Sequence, residues 1–516
     1  MLTFALVAGV LAGISVAATA ASASGTTLYV ATGGSDAGSC QTQATPCASI
    51  SYAVSQASAL PGDVTISVAA GTYDDNVVFS SAVSWRSLTI DGSPTTPTGV
   101  DGTSSGSVFS DASNVAPTPP PVTLDHLVVE DGSTSGTGGG IDTSGTMTVI
   151  DSTVSNNSAT GDGGGISSTG ISSSTLTVTD STISDNNSAA YGGGIASGGN
   201  TTVTDSTISG NSAPSGGGGT ISGGSALTIT DSTISDNNTG DVYPDSGGGM
   251  YMAGPGLVTV ANSTIASNGA WAGGGIANGG SPLVVTDTTI AENAAYVGGG
   301  IAGEDTSLGA SIVAANTAQA YADCDLSGSI TDAGYNLDDD GSCGFSKAHH
   351  DLSDTNPALD PARLRNNGGP TETIALEPGS PAIDHVAQAS LCPDADQRGN
   401  ARSVPCDIGA YDTDMVSAPL EITTASLPDA APHAEYSRSL AATGGNPPYK
   451  WSVSSGHLPM GLHLKKSTGV ISGKPKGVDD GTYTFTVRVV DHKTPKVKGH
   501  VRTYNQSTKV LSIAIS

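Results

Sequence analysis

Three consecutive aspartates, Asp338, Asp339 and Asp340, precede Gly341 in the phrase LDDDGS. Carboxylate and turn carbonyl oxygens are the hard ligands that Ca²⁺ prefers, so Asp338 and Asp340 are candidate calcium ligands. A solvated acidic turn is the alternative explanation. Calcium is the one cofactor that the sequence suggests.

A second set of carboxylates recurs at one position of a repeated phrase. Two carboxylates about 6.5–9.5 Å apart, one of them protonated, can hydrolyse a glycosidic bond with inversion. A catalytic pair should interrupt the repeat, whereas these residues follow it. We therefore expect a structural or solvated row. Its members are Asp151, Asp180, Asp205, Asp231 and Asp287.

Basic residues are distributed very unevenly. The 516 residues carry 18 Lys+Arg and 47 Asp+Glu, a formal net charge of −29, and residues 87–346 contain neither Lys nor Arg. β-Elimination of a uronate needs a base and groups that hold the substrate carboxylate, and a nucleic-acid groove needs several basic contacts. The interval therefore argues against lyase chemistry on the main body and excludes a nucleic-acid partner there.

Six cysteines lie as three local couples in the sequence. No couple has the C-x-x-C spacing of a zinc or redox site, so we expect disulfides. Six cysteines allow 15 connectivities, and short loops favour the pairing of neighbours. The couples are Cys40 and Cys47, Cys324 and Cys343, and Cys392 and Cys406.

The first 23 residues are apolar and then small, ending Ala21-Ser22-Ala23. This pattern predicts a secretory signal peptide at 1–23, cleaved near Ala23. An uncleaved membrane anchor is the alternative. Cleavage would leave a mature chain without a transmembrane span.

A unit of 25–30 residues recurs between about residues 130 and 305, marked by glycine runs. Its phrases, such as LTVTDSTISDN, alternate Val or Ile with Thr, as in a half-buried strand. Ile183 follows Val178 by five residues, an odd step, so both point inward only if the chain bends near Asp180. So small a unit cannot bury its own apolar face, and neighbouring units must stack. We expect a parallel β-helix with one coil per repeat, and roughly 35 Å of shaft for seven coils.

An asparagine closes each phrase. Asparagines at one phase of stacked coils can form a ladder in which each side-chain amide bonds the next. The predicted ladder comprises Asn157, Asn186, Asn211, Asn237, Asn268 and Asn293.

The phrases GGGI and STISxN resemble the GGxI and FxxN repeats of polymorphic outer-membrane proteins and other right-handed β-helix proteins of pectin-lyase type. Downstream, GYNLDDDGSCGF, NNGGPTETIAL, GSPAID, DADQRG and CDIGAY closely resemble the closing segment of choice-of-anchor Q domain proteins, which are bacterial surface or secreted proteins. The tail, with LAATGGNPPYKWSVSSGHLPMGLHLKKSTGVISGKP, resembles Ig-like, cadherin-like modules of bacterial secreted proteins. Such modules imply a spacer or adhesion role.

Two further groups of side chains have competing explanations. Charged residues of the closing segment are either a ligand or catalytic set or, as we expect, a buried ion network: Asp384, Asp396, Arg398, Arg402 and Asp407. Aromatic residues beside glycine turns are either a sugar-stacking edge or, as we expect, shields for the corners: Tyr191, Tyr251, Trp271 and Tyr296.

These features predict an all-β chain, a right-handed parallel β-helix followed by a small Ig-like β-sandwich. The predicted segments are a signal peptide (1–23), an N-terminal cap and first coils (25–130), β-helix repeats (131–320), a closing segment (321–416) and the sandwich (419–516). Within the first of these coils, residues 49–59 have helix-like periodicity and residues 91–121 are expected to be a loop.

The predicted function is that of a secreted or cell-surface adhesin or scaffold without enzymatic activity, binding a glycan or an envelope or matrix component as a monomer. The alternative is a polysaccharide-processing enzyme, a lyase or hydrolase, of the pectin-lyase-like superfamily. A carboxylate cluster out of phase with the repeat would favour the enzyme.

Overall fold

The computed structural model describes residues 25–103, 106–111, 120–168, 174–222, 224–240, 246–326, 330–413, 420–443, 449–476, 481–490 and 506–515. The predicted signal peptide, 1–23, lies outside these residues. Within them, no helix is long and apolar enough to cross a membrane.

The main body is a right-handed parallel β-helix, as predicted, in which each coil adds one strand to each of three sheets. Among the described residues, the first sheet has 12 strands: Thr26–Val30, Gly62–Val68, Trp85–Asp91, Val122–Asp125, Thr146–Ile150, Thr175–Thr179, Asn200–Thr204, Leu227–Thr230, Val258–Ala261, Leu283–Thr286, Thr306–Gly309 and Thr331–Gly334. At the strand spacing of parallel sheets, this corresponds to a shaft of roughly 50 Å.

The other two sheets have 11 and 10 strands among the described residues. Those of the second sheet are Gly71–Asp74, Thr98–Asp101, Val128–Glu130, Thr153–Ser155, Thr182–Ser184, Thr207–Ser209, Thr233–Ser235, Thr264–Ala266, Thr289–Ala291, Ile312–Ala314 and Leu337–Asp338. Those of the third sheet are Val77–Phe79, Phe109–Asp111, Ile141–Asp142, Ile166–Ser168, Ile195–Ser197, Thr220–Ser222, Met250–Met252, Ile276–Asn278, Ile301–Gly303 and Cys324–Leu326.

Short strands stack at the corner between the second and third sheets. Three of them pair in one group and two in another. The strands are Ser133–Thr134, Ser158–Ala159 and Asn187–Ser188, then Gly269–Ala272 and Ala294–Val297.

The bend predicted near Asp180 is present. Asp180 has φ 48°, in the left-handed region, and both Val178 and Ile183 are fully buried. Aspartate enters this region more readily than most residues because its short polar side chain can bond locally. The aspartates at the same place in other coils have φ between 46° and 52°, so the recurring Asp forms the corner between the first and second sheets.

The N-terminal coils extend the shaft beyond the recognisable repeat. A helix at Ile50–Ala57, capped by the Ser49 side chain, buries Ile50, Ala53, Val54 and Ala57 against the core, as its periodicity predicts. The expectation of one loop over residues 91–121 was wrong at Thr98–Asp101 and Phe109–Asp111, which are strands. Parallel pairing with the neighbouring coil supplies hydrogen bonds that their composition does not reveal. Residues 104–105 and 112–119 of this range lie outside the described residues.

The closing segment lies along the side of the shaft, against several coils of the second sheet. Thr233 Oγ1 donates to the Glu372 carbonyl (2.6 Å), and Thr264 Oγ1 donates to Gln397 Oε1 (2.6 Å). Gly409 N–H donates to the Ala310 carbonyl (2.9 Å), two coils beyond Thr264. The first part of the closing segment supplies strands to the shaft, at Cys324–Leu326, Thr331–Gly334 and Leu337–Asp338. Beyond them, apart from 3₁₀ turns at Lys347–His349 and Ala389–Leu391, the segment is largely irregular. Outward-facing threonine hydroxyls of the second sheet therefore serve as its docking points.

The tail forms a separate all-β domain around the buried side chains of Trp451, Ile471, Phe485, Val487 and Ile513. Its described strands are antiparallel and form three small sheets. They are Glu421–Ile422, Tyr436–Ser439, Ala442–Thr443, Lys450–Gly456, Leu462–Leu464, Val470–Gly473, Gly481–Val490 and Gln506–Ile515.

Candidate functional site

The six predicted asparagines stack in one buried ladder inside the shaft. Asn186 Nδ2 donates to Asn211 Oδ1 (3.0 Å) and to the Val154 carbonyl (2.9 Å), and Asn186 N–H donates to the same Oδ1 (3.0 Å). The equivalent amide-to-amide bonds from Asn157 onward are 2.9–3.0 Å long. The ladder continues to Asn316, which lies one coil beyond the predicted set.

The glycine runs follow from this ladder. A Cβ atom on Gly194 would lie 2.6 Å from the Gly219 carbonyl oxygen and 3.0 Å from Asn211 Nδ2. A side chain at this position therefore cannot be accommodated without moving backbone or a buried amide. The run allows the third sheet to approach the asparagines closely.

A second ladder of hydroxyl groups lies at the corner between the first and second sheets, and sequence reasoning missed it. Ser181 N–H donates to Ser206 Oγ (3.1 Å), and Ser206 Oγ donates to the Thr204 carbonyl (2.7 Å). The sequence pattern that could have predicted it is the Ser or Thr that follows the corner residue in each phrase, as in DST. The ladder ends at Asn336, which accepts from Ser311 N–H (3.2 Å).

The six cysteines pair as neighbours. The disulfides are Cys40–Cys47, Cys324–Cys343 and Cys392–Cys406.

The aspartates of the row lie at the corner between the first and second sheets, and their solvent exposure decreases toward the C-terminal end of the shaft. Asp151 and Asp180 are exposed, whereas Asp287 is buried beneath the closing segment. Burial raises the pKa of Asp287 to about 7, against the lowering influence of Arg402. Burial and the charges of neighbouring row members raise the pKa of Asp205. Equal backbone geometry at each member supports a structural role for the row.

Four of the five charged residues predicted to form a buried network are buried, namely Asp396, Arg398, Arg402 and Asp407. The expectation was wrong for Asp384, which is exposed and whose backbone N–H donates to Asp407 Oδ1 (2.8 Å). Arg398 Nε donates to Asp396 Oδ2 (2.8 Å), and its guanidinium lies 3.7 Å from the centroid of the Tyr411 ring. Arg402 Nη2 donates to the Gly409 carbonyl (2.6 Å) and to Asn262 Oδ1 (3.2 Å). Side chains so deeply buried hold loops together and cannot meet a polymeric substrate.

An acidic cluster closes the C-terminal end of the shaft; we call Asp323, Asp338 and Asp340 the end cluster. Each offers a carboxylate oxygen within 4.8 Å of those of the other two. Burial raises the pKa of Asp323 to about 8, and Asp339 adds to this shift. Burial also raises the pKa of Asp338, against the influence of Ser353, while hydrogen bonds from Ser342 lower the pKa of Asp340. Both candidate calcium ligands therefore lie together, joined by Asp323, which the sequence did not single out.

Two other clusters of metal-ligating side chains occur among the described residues. In one, Asp332 Oδ2 lies 2.7 Å from His349 Nδ1, and both oxygens of Asp351 accept backbone N–H bonds. In the other, His126 Nδ1 lies 2.7 Å from Asp125 Oδ1 and 3.5 Å from Asp91. In both, the histidine is an available partner for the carboxylates, which distinguishes them from the end cluster.

A cleft of about 330 Å³ separates the shaft from the closing segment. Its walls include Glu292, Asp339, Asp360 and Arg363. Arg363 Nε lies 3.3 Å from Glu292 Oε1, and burial raises the pKa of Glu292. Glycoside hydrolysis uses two carboxyl groups, so this polar cleft with several carboxylates is the candidate location for hydrolytic chemistry.

Aromatic rings line the corner where the chain enters the third sheet. Six residues occupy equivalent places in successive coils at this corner: 191, 216, 246, 272, 297 and 320. At each step, the N–H of the residue that follows one of them donates to the carbonyl of the next, as Gly192 N–H does to Gly216. The aromatic residues lie on or beside this row, over roughly 24 Å of shaft. We call them the aromatic edge: Tyr191, Tyr251, Trp271, Tyr296 and Tyr321.

Four of the five rings of the aromatic edge form two stacked pairs. Trp271 and Tyr296 stack at 5.5 Å between centroids with planes 8° apart, and Tyr191 and Tyr251 stack at 6.4 Å and 21°. Gly216 lies beside the second pair, where a Cβ atom would be 3.1 Å from Tyr251.

Much of this aromatic surface remains in contact with solvent. Tyr191, Tyr296 and Tyr321 are 39%, 47% and 59% exposed. Sequence reasoning missed Tyr321 because its coil has lost the glycine run. Rings that served only to shield the corners would be more completely covered.

Comparison with known proteins supports the architecture. Residues 101–234 match the family Right handed beta helix region, and residues 414–513 match the family Putative Ig domain. The chain is thus a right-handed β-helix protein with a C-terminal Ig-like domain. No curated protein sequence matches it significantly.

Among solved structures, pectate lyase Pel9A is similar at 14% identity and TM-score 0.47, covering 75% of this chain and 96% of that chain. A pectin methylesterase from Aspergillus niger is similar at 13% identity and TM-score 0.33, covering 50% and 83%. A protein from Bacteroides fragilis described as a putative alpha-galactosidase is 26% identical over 19% of this chain, with TM-score 0.15, and the match spans 17% of its own length.

Proposed function

We propose that the protein is an extracellular, non-enzymatic scaffold that binds a neutral glycan along the aromatic edge. The observation that supports this most directly is the alignment of two stacked ring pairs along one corner of the shaft, with exposed rings in each pair. Exposed aromatic faces with polar tips suit ligands that have both apolar faces and hydroxyl groups. Sugar rings have this character.

The charge of the shaft favours a neutral ligand over a uronate polymer. Residues 87–346 offer no Lys or Arg, and exposed Asp151 and Asp180 lie on the same part of the chain. An anionic polysaccharide would meet repulsion without compensating cations. Neutral glycans avoid this cost.

Three features support an extracellular location. Three disulfides are typical of proteins from oxidising compartments. The apolar first 23 residues favour export, and the tail supplies an Ig-like module suited to spacing or adhesion. Its residues 417–516 contain 12 basic and 6 acidic side chains, which favours an anionic envelope or matrix as its partner.

The test combines a glycan array with a product assay on the full chain. We expect saturable binding to at least one neutral glycan, and neither reducing ends nor unsaturated uronates released from neutral or acidic polysaccharides. Absence of binding to all neutral glycans would contradict the proposal. Release of product would instead support hydrolysis or elimination, and Glu292→Gln in the cleft would then show whether the activity originates there.

A further inference from the structure

We propose that the end cluster binds one calcium ion, held by Asp323, Asp338 and Asp340. The inference is independent of glycan binding. It rests on the geometry of the three carboxylates, on an unpaired buried oxygen and on the lack of a counter-charge.

The geometry fits a single ion. Calcium lies 2.3–2.6 Å from its oxygen ligands, so two ligands of one ion are at most about 5 Å apart. The end cluster presents one oxygen from each of its three residues, all within 4.8 Å of one another. Backbone carbonyls and water can complete the six to eight ligands that calcium takes.

Asp338 supports a bound cation independently of the number of acidic residues, because one of its buried oxygens lacks a hydrogen-bond partner. Its side chain is fully buried. Oδ2 accepts from Cys343 N–H (3.2 Å). Oδ1 is buried and accepts no hydrogen bond of normal length and angle, although the Ser353 hydroxyl and the Asp354 N–H lie near this carboxyl group. Buried carboxylate oxygens without partners are costly and uncommon. A cation at the end cluster would satisfy this oxygen.

The cluster also lacks a balancing positive side chain. In the described part of the chain, no Lys, Arg or His forms an ion pair with Asp323, Asp338 or Asp340. By contrast, buried Asp396 and Asp412 of the closing segment are each paired with an arginine. Three carboxylates at one place without such a partner favour a divalent cation.

The surroundings hold the carboxylates in place and leave an entry path. Asp323 Oδ1 accepts from Asn316 Nδ2 (3.0 Å), and its Oδ2 accepts from Asp339 N–H (3.1 Å). The Cys324–Cys343 disulfide ties the strand after Asp323 to the turn that carries the other two ligands. Asp340 is exposed, so an ion can reach the cluster from solvent.

The test is calorimetric titration of CaCl₂ into the full chain after chelator treatment, combined with thermal unfolding. We expect a saturable site that holds one ion per chain, and a higher melting temperature with calcium than without it. Asp338→Asn and Asp323→Asn should each weaken the site at least tenfold. Asp325→Asn is the matched control, because Asp325 lies two residues from Asp323, in the strand Cys324–Leu326 that follows it, and outside the cluster. It should change affinity less than twofold.

Substitution of a buried residue, Asp323 or Asp338, could prevent folding. Asp340 is exposed, so its substitution tests the site without this risk. Asp340→Asn should leave the circular dichroism spectrum unchanged and still weaken calcium binding at least tenfold. The proposal is overturned if the wild-type chain shows no saturable calcium binding. It is also overturned if Asp340→Asn binds calcium as tightly as the wild type, since the ion would then lie elsewhere.

Discussion

The side-chain amide of Asn316 donates a 3.0 Å hydrogen bond to the carboxyl group of Asp323, and with this bond the asparagine ladder passes from amides to an acid. The hydroxyl ladder, whose last member is Asn336, also meets an acid, because the backbone N–H of Asn336 donates to Asp351 Oδ1 (2.6 Å). Both internal ladders of the shaft therefore end at buried carboxyl groups. An acid accepts the last N–H but brings a charge that must be protonated, paired or bound to a cation.

Loss of a single asparagine from the ladder should lower the free energy of unfolding substantially. Asn186→Ala removes bonds to Asn211 and to the Val154 carbonyl and leaves buried groups unsatisfied, which should lower the free energy of unfolding by about 2–4 kcal/mol. Asn187→Ala is the matched control, because Asn187 is the next residue and is exposed; its effect should be within about 0.5 kcal/mol. Urea unfolding compares the two, and equal effects would contradict a stabilising ladder.

Glycine should be required where the third sheet meets the ladder. Gly194→Ala places a Cβ atom 2.6 Å from a backbone oxygen, so we expect a lower melting temperature and reduced soluble yield. Gly33→Ala meets nothing within 4 Å and should behave as the wild type. A Gly194→Ala protein that melts with the wild type would show that the coils can separate to accept a side chain.

Stability should fall as the pH rises through the pKa of Asp287. Burial raises its folded-state pKa to about 7, above an unfolded value near 4, so the folded state retains the proton more strongly. The stabilisation is complete below about pH 4 and is lost as the pH rises to about 7, at about 1.4 kcal/mol per pH unit at most.

Asp287→Asn should therefore reduce the pH dependence of the melting temperature between pH 5 and 8. Asp180→Asn changes the same corner position where it is exposed, and should leave that dependence as it is in the wild type. Thermal unfolding across this range decides the matter, and identical profiles for wild type and Asp287→Asn would refute the assignment.

The closing segment should depend on Gln397 for its attachment to the shaft. Its amide bonds Thr264 Oγ1 (2.6 Å), Thr233 Oγ1 (2.9 Å) and the Ser232 carbonyl (3.2 Å). Gln397→Ala should speed limited proteolysis within residues 360–413, while Gln388→Ala, which changes an exposed glutamine, should not. Unchanged cleavage of Gln397→Ala would mean that other contacts suffice.

The regular features of the shaft could be predicted because each depends on one repeating position. The odd step from Val178 to Ile183 required a bend, and Asp180 provides it with a positive φ. The course of the closing segment could not be predicted, since its irregular chain carries no periodicity and its contacts, such as Gln397 to Thr233, join residues 164 positions apart.

Some residues of the candidate sites could also be recognised from the sequence, whereas others could be recognised only from the structure. Asp338 and Asp340 are close in sequence and were recognisable as candidate ligands. Asp323 joins them only because the last coils stack, so its role required the structure. Similarly, Trp271 and Tyr296 stood out beside glycine turns, but their face-to-face stacking depends on the register between coils.

The most direct test of the central claim is equilibrium binding of the best neutral glycan from the array to wild type and to the Trp271→Ala, Tyr296→Ala double variant. Leu257→Ala is the control, because Leu257 is an apolar side chain of the shaft that is 50% exposed. We predict at least tenfold weaker binding by the double variant, a change below twofold in the control, and matching circular dichroism spectra. Equal affinity in all three proteins would contradict glycan recognition by the aromatic edge.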